Sequence, residues 1–420
     1  MIFHILYAII LFLTAVFLIP NITKINLFNT YFIIFFVFFG PAFFQSVDSI
    51  DDINIIEAQC LSLSVFFIFI GKFISDDFLK KWRNAKPLVD SREININILK
   101  VFFFSSLIIV FLGLFFYDGL AKISIIYRAL DGLTPDDLKE LRFETGIKGW
   151  IAEPYKYIIS FSPGISLLML NYYLDRKKGN LVIIALLYFF IFLIILAGLA
   201  TLTKSITFFY LMQIGIFFYL RKNRSWRFNI RFLVGTLIVV LLILLPIYLY
   251  LTVASNSFEA LELILDRVTG EPNRVLREYF IWFPNRLEHR MGMNIRLVHK
   301  FFGKGEYEPA YISIIMQNMP KMDYTGGTWP AIYLADAWVD FSYFGVVIHS
   351  FILGITLNVI DLYIARYRDG ISVTLFSMLL ASIYNVMENS LITVLISGGL
   401  LVYPLFIVFI TKKRKTKIVT

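Results

Sequence analysis

A run of basic residues between positions 283 and 305 has a composition suited to binding an anion. The stretch FPNRLEHRMGMNIRLVHKFFGKG contains a single acidic residue, Glu288. Its cations are Arg286, Arg290, Arg296, Lys300 and Lys304. Guanidinium groups are always charged, and their forked N–H groups match pairs of phosphate oxygens. The run therefore predicts a site for a phosphate or a diphosphate.

A helix built from this run would gather its charges on one side. At about 100° per residue, one set of residues falls within about 120°, and an apolar set shares the opposite sector. The first set is Arg286, His289, Arg290, Met293, Arg296 and Lys300, and the second is Leu287, Met291, Ile295, Val298 and Phe302. We expect an amphipathic helix with a basic stripe. It forms either an anion-binding wall or an interfacial helix that rests on the outer leaflet.

Two acidic residues one helical turn apart, Asp336 and Asp340, begin an apolar stretch. Ionisable residues are costly in a membrane and therefore often functional, so either carboxylate is a candidate base for a hydroxyl group. They could equally complement the helix dipole or pair with the nearby arginines. His289 and Glu288 are alternative bases.

Further candidates are scattered along the chain. Additional cations for the anion are Arg274, Arg277, Lys204 in TLTKS, and Arg142. Lys204 is also suited to a snorkelling helix cap. Polar residues near other helix ends are His349, which suits an interhelical hydrogen bond, and Glu388 with Asn385 and Asn389, which suit either sugar hydroxyls or a plain helix end. The aromatic residues of YTGGTWPAIY suit sugar stacking or an interfacial belt.

The composition of the 420-residue chain indicates a membrane protein. Hydrophobic residues make up 58% and charged residues 16%, and the mean hydropathy is +0.74. A soluble protein could not bury so much apolar surface. The formal charge of +9 reflects basic loops facing the cytoplasm, so nucleic acid is not implied as a partner. Lone Cys60 and four scattered His residues provide no metal-ligand spacing, and we expect neither a metal nor another cofactor.

Apolar stretches of roughly 20 residues predict about eleven transmembrane helices in an all-α, polytopic integral membrane protein. The predicted spans are 2–20, 27–45, 57–75, 97–116, 153–174, 182–200, 205–220, 230–252, 333–359, 371–388 and 391–410. The first lacks a basic flank and a cleavage site, so we interpret it as a retained span.

Basic connectors predict the orientation of these spans. The cytoplasmic connectors are 80–93, 175–178, 221–227, 365–368 and the tail 412–417. The N-terminus is then outside and the C-terminus is cytoplasmic. Residues 1–420 form one membrane domain with two outer segments, 117–150 and 254–332. The first should contain a helix at 134–146, capped by Thr134, and the second should contain amphipathic helices.

The stretch TGGTWPAIYLADAWVDFSYFGVVIHSFILG, residues 325–354, resembles bacterial O-antigen and oligosaccharide repeat-unit polymerases. The Phe344–Gly345 pair, the Arg cluster and the GKG of Gly303 to Gly305 contribute to the resemblance, as does one dominant outer loop between late helices. The resemblance implies a GT-C-like glycosyltransferase of the bacterial inner membrane. Such an enzyme transfers a growing glycan from undecaprenyl pyrophosphate to a new lipid-linked unit on the periplasmic face, without a metal or a nucleotide sugar.

The resemblance also implies roles and partners. The leaving group is a lipid pyrophosphate whose charge Arg and Lys must neutralise. Arg286, Arg290, Arg296 and Lys300 would bind it first, with Arg274, Arg277, Lys204 and Arg142 as further candidates. Asp336, Asp340, His289 and Arg290 would be catalytic. Membrane lipid, a flippase and a chain-length regulator are expected partners.

Other classes of membrane protein remain open. A flippase or transporter of lipid-linked oligosaccharide would need cations along a central path, whereas the predicted spans are nearly free of them. An O-antigen ligase or another GT-C-type transferase would share the donor chemistry. An integral-membrane acyltransferase would be expected to carry His and Arg within its early helices, where only His4 occurs.

Overall fold

The fold is built from helices that follow the apolar runs of the sequence. The computed structural model describes residues 24–48, 52–84, 92–115, 152–175, 181–200, 204–223, 226–227, 256–303, 305–318 and 331–413, and single residues 235, 238, 245 and 249. Its helices are α1 (Leu27–Asp48), α2 (Asp52–Phe78), α3 (Lys80–Arg83), α4 (Ile96–Phe115), α5 (Ala152–Leu174), α6 (Leu181–Ala200), α7 (Lys204–Lys222), α8 (Ser257–Leu265), α9 (Glu271–Trp282), α10 (Arg296–Phe302), α11 (Ala310–Asn318), α12 (Tyr333–Tyr367), α13 (Gly370–Asn385), α14 (Leu391–Ile396) and α15 (Val402–Ile410). A π-helical turn, Asp266–Gly270, joins α8 to α9, and the strands β1 (Arg92–Ile94) and β2 (Thr411–Lys413) pair antiparallel.

Four helices of the described part are long and apolar enough to cross a membrane. They are α2, α4, the Leu181–Gly198 part of α6, and α12. Shorter apolar stretches occur at Leu27–Pro41 in α1 and along α13. Because a bilayer core requires roughly 20 apolar residues per helix, these lengths indicate a membrane-embedded protein. The predicted all-α class is confirmed at this level.

Several predicted segments fall outside the described residues or differ from the structure. The predicted span 2–20 and the predicted helix 134–146 lie outside the described part, as does span 230–252 apart from four single residues. The prediction of one uninterrupted helix at 391–410 was wrong, because α14 and α15 are separated by a turn. Gly399 in this turn has a φ of +85°, and the Tyr403 ring occupies the space of a Cβ there.

Helix α12 reverses direction within its own length. Phe341 and Ser342 have non-helical backbone angles, and Ser342 has a φ of +54°. The Tyr333 hydroxyl lies 2.8 Å from the Ser350 hydroxyl, although 17 residues of straight helix would separate them by about 25 Å. A Cβ on Gly345 would lie 2.0 Å from the Ala337 carbonyl oxygen. The predicted single span 333–359 is therefore a helical hairpin, with 333–340 packed against the limb that begins at 343.

The longer limb of α12 crosses α2 at close range because small residues line the contact. A Cβ on Gly354 would lie 2.1 Å from the Ile68 carbonyl oxygen, and one on Gly71 would lie 2.3 Å from the Phe351 carbonyl oxygen. Glycine allows backbones in a membrane to approach in this way. The Ser64 hydroxyl of α2 also lies 2.7 Å from the Tyr333 hydroxyl. Helix α2 thus contacts both limbs of the hairpin.

Connectors predicted to share one side of the membrane meet at one end of the bundle. Strand β1 pairs with β2, and the backbones of Lys24 and Arg227 form an isolated antiparallel β-bridge. Arg92 forms a buried ion pair with Asp369. At the other end, the Tyr384 ring packs against Phe38 and Phe209, with centroids 5.6 and 4.5 Å away. The described parts of these connectors therefore lie together at one end of the bundle, opposite the end that contains Tyr384.

Candidate functional site

The basic run does not form the single helix that the sequence predicts. Residues 283–295 form turns and extended chain, and only α10, Arg296–Phe302, is helical. Met291 and Gly292 have φ values of +51° and +89°. The prediction of one basic stripe along 286–302 was therefore wrong, and the reason is tertiary: the chain here packs on the bend of α12.

The backbone of this loop caps the bend of α12. Where the helix is broken, the carbonyl groups of Val339 and Asp340 receive hydrogen bonds from the N–H groups of Arg290 (2.9 Å) and Met291 (3.0 Å). A polar backbone group left unpaired inside a protein would be costly. The loop therefore satisfies the groups that the helix break leaves open.

The Asp340 carboxylate holds the same loop from its side chain. Its Oδ1 accepts hydrogen bonds from the N–H groups of Gly292 and Asn294, both at 3.0 Å. Asp340 is fully buried. Its Oδ2 is buried without a hydrogen-bond partner among the described residues. Asp340 thus contacts the loop and is closed off from the surface.

Asn294 connects the two acidic residues to the rest of the outer segment. Its Nδ2 donates to Asp336 Oδ1, and its Oδ1 accepts from the N–H of Ala310 at 2.9 Å. The Tyr307 hydroxyl donates to the Asn294 carbonyl oxygen at 2.8 Å. Asn294 is buried, whereas Asp336 is only partly buried. As a whole residue, Asp336 is therefore more exposed than Asp340.

Arg290 is bound within the outer segment. Its guanidinium donates to the Glu308 carbonyl oxygen and, at 2.6 Å, to the Ser313 hydroxyl. The charges of Arg290 and Asp336 both act on the buried Tyr279 hydroxyl. Burial raises the pKa of Tyr279 well above its usual range, the negative charge of Asp336 raises it further, and the positive charge of Arg290 opposes the shift. Arg290 and Asp336 therefore belong to one cluster.

His289 lies at the edge of this cluster. Its Nδ1 is 3.2 Å from the Val339 carbonyl oxygen, and its ring packs edge-on against Trp338 at 5.8 Å. Because a carbonyl oxygen only accepts, Nδ1 carries the proton in this contact, and Nε2 of the neutral ring is the nitrogen able to accept a proton. His289 is thus a chemically competent alternative base.

Two other predicted cations are exposed near the cluster. The Arg286 guanidinium lies over the Trp282 ring, 4.6 Å from its centroid, and the side chain is exposed. The Arg286 N–H donates to the Trp282 carbonyl oxygen at 2.9 Å, but among the described residues no hydrogen bond or ion pair holds the Arg286 side chain. Lys300 is exposed on α10. These two side chains can reach a charged group arriving from outside.

The remaining predicted cations are in different situations. Arg274 forms a two-pronged pair with Asp266, with both N···O distances 2.8 Å, and Arg277 acts electrostatically on Glu57 of α2. Arg296 and Lys204 begin α10 and α7, but their side chains lie outside the described part, as does all of Arg142. The structure therefore brings His289, Arg290, Asp336 and Asp340 together, places Arg286 in the same loop over Trp282, and leaves Arg274 and Arg277 on the neighbouring helix.

Sequence reasoning missed Asn294 and the helix break. An Asn inside an apparent basic stripe carries no periodic signal, and nothing in YLADAWVDFSYFG marks a reversal except the small residue Gly345. Of the other polar residues, Glu388 accepts from the Tyr384 hydroxyl. His349 Nδ1 is buried without a partner in the described part. The predicted interhelical hydrogen bond of His349 is not seen at that atom.

Comparison of the chain with protein-family models, with curated proteins and with solved structures gives no match.

Proposed function

We propose that the protein is a polymerase of lipid-linked oligosaccharide repeat units. It would be a metal-independent glycosyltransferase that acts at the periplasmic surface of the inner membrane. The observation that carries this proposal is the attachment of the basic loop 286–294 to Asp336 and Asp340. It brings candidate cations for a diphosphate leaving group and a candidate base for a sugar hydroxyl into one cluster. The resemblance of residues 325–354 to O-antigen polymerases supports the same reaction.

The leaving group would be undecaprenyl pyrophosphate, whose charge increases as its bond to the sugar breaks. Arg286 is exposed on the loop and would bind the diphosphate, with Arg296 and Lys204 as further candidates. Arg290 would contribute charge while its fork holds Glu308 and Ser313. Contacts that strengthen as charge develops lower the barrier without a metal ion.

The acceptor would be a hydroxyl group of the incoming lipid-linked unit. Asp336, partly accessible, would take its proton as the oxygen bonds to the anomeric carbon of the growing glycan. The bond between that carbon and the phosphate oxygen breaks, and its electron pair leaves with the lipid pyrophosphate. Asp340 is fully buried, so we assign it the role of positioning the loop.

The membrane arrangement proposed with this function has about eleven spans and a GT-C-like bundle. We place it in the bacterial inner membrane with a periplasmic N-terminus, a cytoplasmic C-terminus and a periplasmic cluster. The meeting of the basic connectors at one end of the bundle supports this orientation. A flippase would supply the lipid-linked unit, and a chain-length regulator would act on the product.

Deletion of the gene in the bacterium that carries it tests the proposed reaction. We expect glycans carrying one repeat unit on the final carrier, because flipping and ligation continue without polymerisation. Complete loss of even that product, with lipid-linked units retained in the cytoplasmic leaflet, would indicate a flippase. Polymer that accumulates on the undecaprenyl carrier would indicate a ligase.

Single-cysteine labelling in a Cys60→Ala background tests the orientation. In cells with a permeabilised outer membrane and an intact inner membrane, a membrane-impermeant thiol reagent should label cysteines placed at 137 and 304. It should not label cysteines placed at 80 and 224. The reverse pattern would put the cluster in the cytoplasm, where no lipid-linked repeat units are polymerised in this scheme.

A further inference from the structure

The outer segment exposes large apolar side chains next to the candidate site. Met291 is 67% exposed, Phe301 71% and Phe302 74%. Exposing each side chain to water costs free energy in proportion to its apolar area. Three such side chains, one in the loop and two at the end of α10, favour a partner that shields them.

Two cations of the basic run, Arg290 and Lys300, have different surroundings near these residues. Arg290 is held inward by Glu308 and Ser313. Lys300, immediately before Phe301, is exposed. A cation beside exposed aromatic residues is the composition of a segment that lies in a membrane interface, with its ring in the acyl boundary and its ammonium at the headgroups.

The loop that contains Met291 adjoins the face of α12 that is available to lipid. A Cβ on Gly292 would lie 3.2 Å from the Phe341 ring, so the loop touches the bend of the hairpin. Beyond the bend, Phe344, Ile348 and Ile352 follow at intervals of four residues and are exposed. Residues at this interval share one helix face. An apolar surface therefore runs along α12 to its bend, where Met291 follows in the loop.

We propose that Met291, Phe301 and Phe302, which we name the anchor face, insert into the interface of the outer leaflet, with Lys300 at the level of the lipid headgroups. The partner is the bilayer surface. The anchor face resolves the two interpretations of the basic run, since one part of the run binds within the cluster and the other part binds lipid. This proposal does not depend on the reaction.

The test uses the full-length protein in lipid nanodiscs of phosphatidylcholine with a minority of phosphatidylglycerol. In a Cys60→Ala background, single cysteines at 301 and 302 receive an environment-sensitive fluorophore. The matched control is a cysteine at 306, because Glu306 is an exposed residue of the same segment. Brominated lipids should quench the fluorophores at 301 and 302 several-fold more than the one at 306. Lys300→Gln should reduce this quenching when phosphatidylglycerol is present.

A photo-crosslinking amino acid in place of Phe302, with Cys60 intact, provides a second measurement. Crosslinks to lipid support the anchor face. Equal quenching at all three positions overturns the proposal. Crosslinks to a second copy of the protein also overturn it, because the exposed residues would then form a contact between copies.

Discussion

The two ends of the bundle each contain a buried aspartate, and they satisfy it very differently. Asp369 receives two nitrogens of Arg92 and the N–H of Ser372. Asp340 receives two backbone N–H groups on one oxygen, while its other oxygen has no partner among the described residues. A fully paired buried charge indicates a structural clasp, whereas an under-satisfied one is more often found where a protein acts.

The Arg92–Asp369 ion pair, which we name the clasp, is surrounded by further contacts. The Arg92 guanidinium also donates to the hydroxyls of Tyr363 and Ser372, and it stacks over the Tyr367 ring at 4.0 Å. Asp369 caps the first turn of α13. The end with Asp340 has instead a break within a helix and a loop that packs on this break through backbone hydrogen bonds. Charge content alone therefore does not distinguish the two ends, whereas the pairing of each charge does.

The largest expected effect is on Asp336. Asp336→Asn keeps an oxygen for Asn294 but removes the base, so polymer formation should fall about 100- to 10,000-fold. Complementation of the deletion strain, with glycan length read on gels and protein level on blots, measures this. Asp340→Asn keeps the acceptor for both loop N–H groups and should therefore reduce polymer formation far less than Asp336→Asn. If Asp336→Asn makes full-length polymer, the base is elsewhere and His289→Gln becomes the next variant.

The second effect concerns stability at the clasp. Arg92→Met leaves Asp369 buried and unpaired, which should lower the free energy of unfolding by about 3–5 kcal/mol. Thermal unfolding of the purified protein in detergent measures the loss. Adding Asp369→Asn should recover part of it, because Asn still caps α13 without a charge. Activity per folded molecule should stay unchanged, and a specific loss of activity would show that the two ends are not separate in role.

The third prediction compares the loss of rate on Arg→Lys substitution at exposed arginines with different surroundings. Arg286→Lys keeps the charge but loses the fork, so a diphosphate site should lose roughly 30- to 1,000-fold in rate, or about 2–4 kcal/mol. Arg274→Lys is the matched control, since Arg274 is an exposed arginine already paired with Asp266. Arg290→Lys and Arg296→Lys complete the series. Full-length polymer from all of Arg286→Lys, Arg290→Lys and Arg296→Lys would contradict the diphosphate site on this loop.

The sequence predicted the membrane class, many of the helices and the amphipathic α9, because these depend on apolar runs and local periodicity. It also singled out Arg290, Asp336 and Asp340, which the structure brings together. It could not predict how they meet. The hairpin of α12 depends on a contact between Gly345 and Ala337, and the loop that caps it has no period. A basic stripe drawn on a helical wheel was therefore the wrong geometry for the right residues.

The smallest effect tests whether the unsatisfied end is also strained. Ser342 combines a φ of +54° with a ψ of −141°, a region that glycine adopts far more readily than serine, at a cost of about 1–3 kcal/mol for other residues. Ser342→Gly removes that cost but gives the unfolded chain more freedom, roughly 0.5–1 kcal/mol. The net should be a stabilisation of about 1 kcal/mol, seen as a higher midpoint of thermal unfolding. Arg368→Gly, with a φ of +40° near the clasp, is the matched variant at the other end. Destabilisation by Ser342→Gly would mean that the serine hydroxyl stabilises the bend by more than the backbone conformation costs.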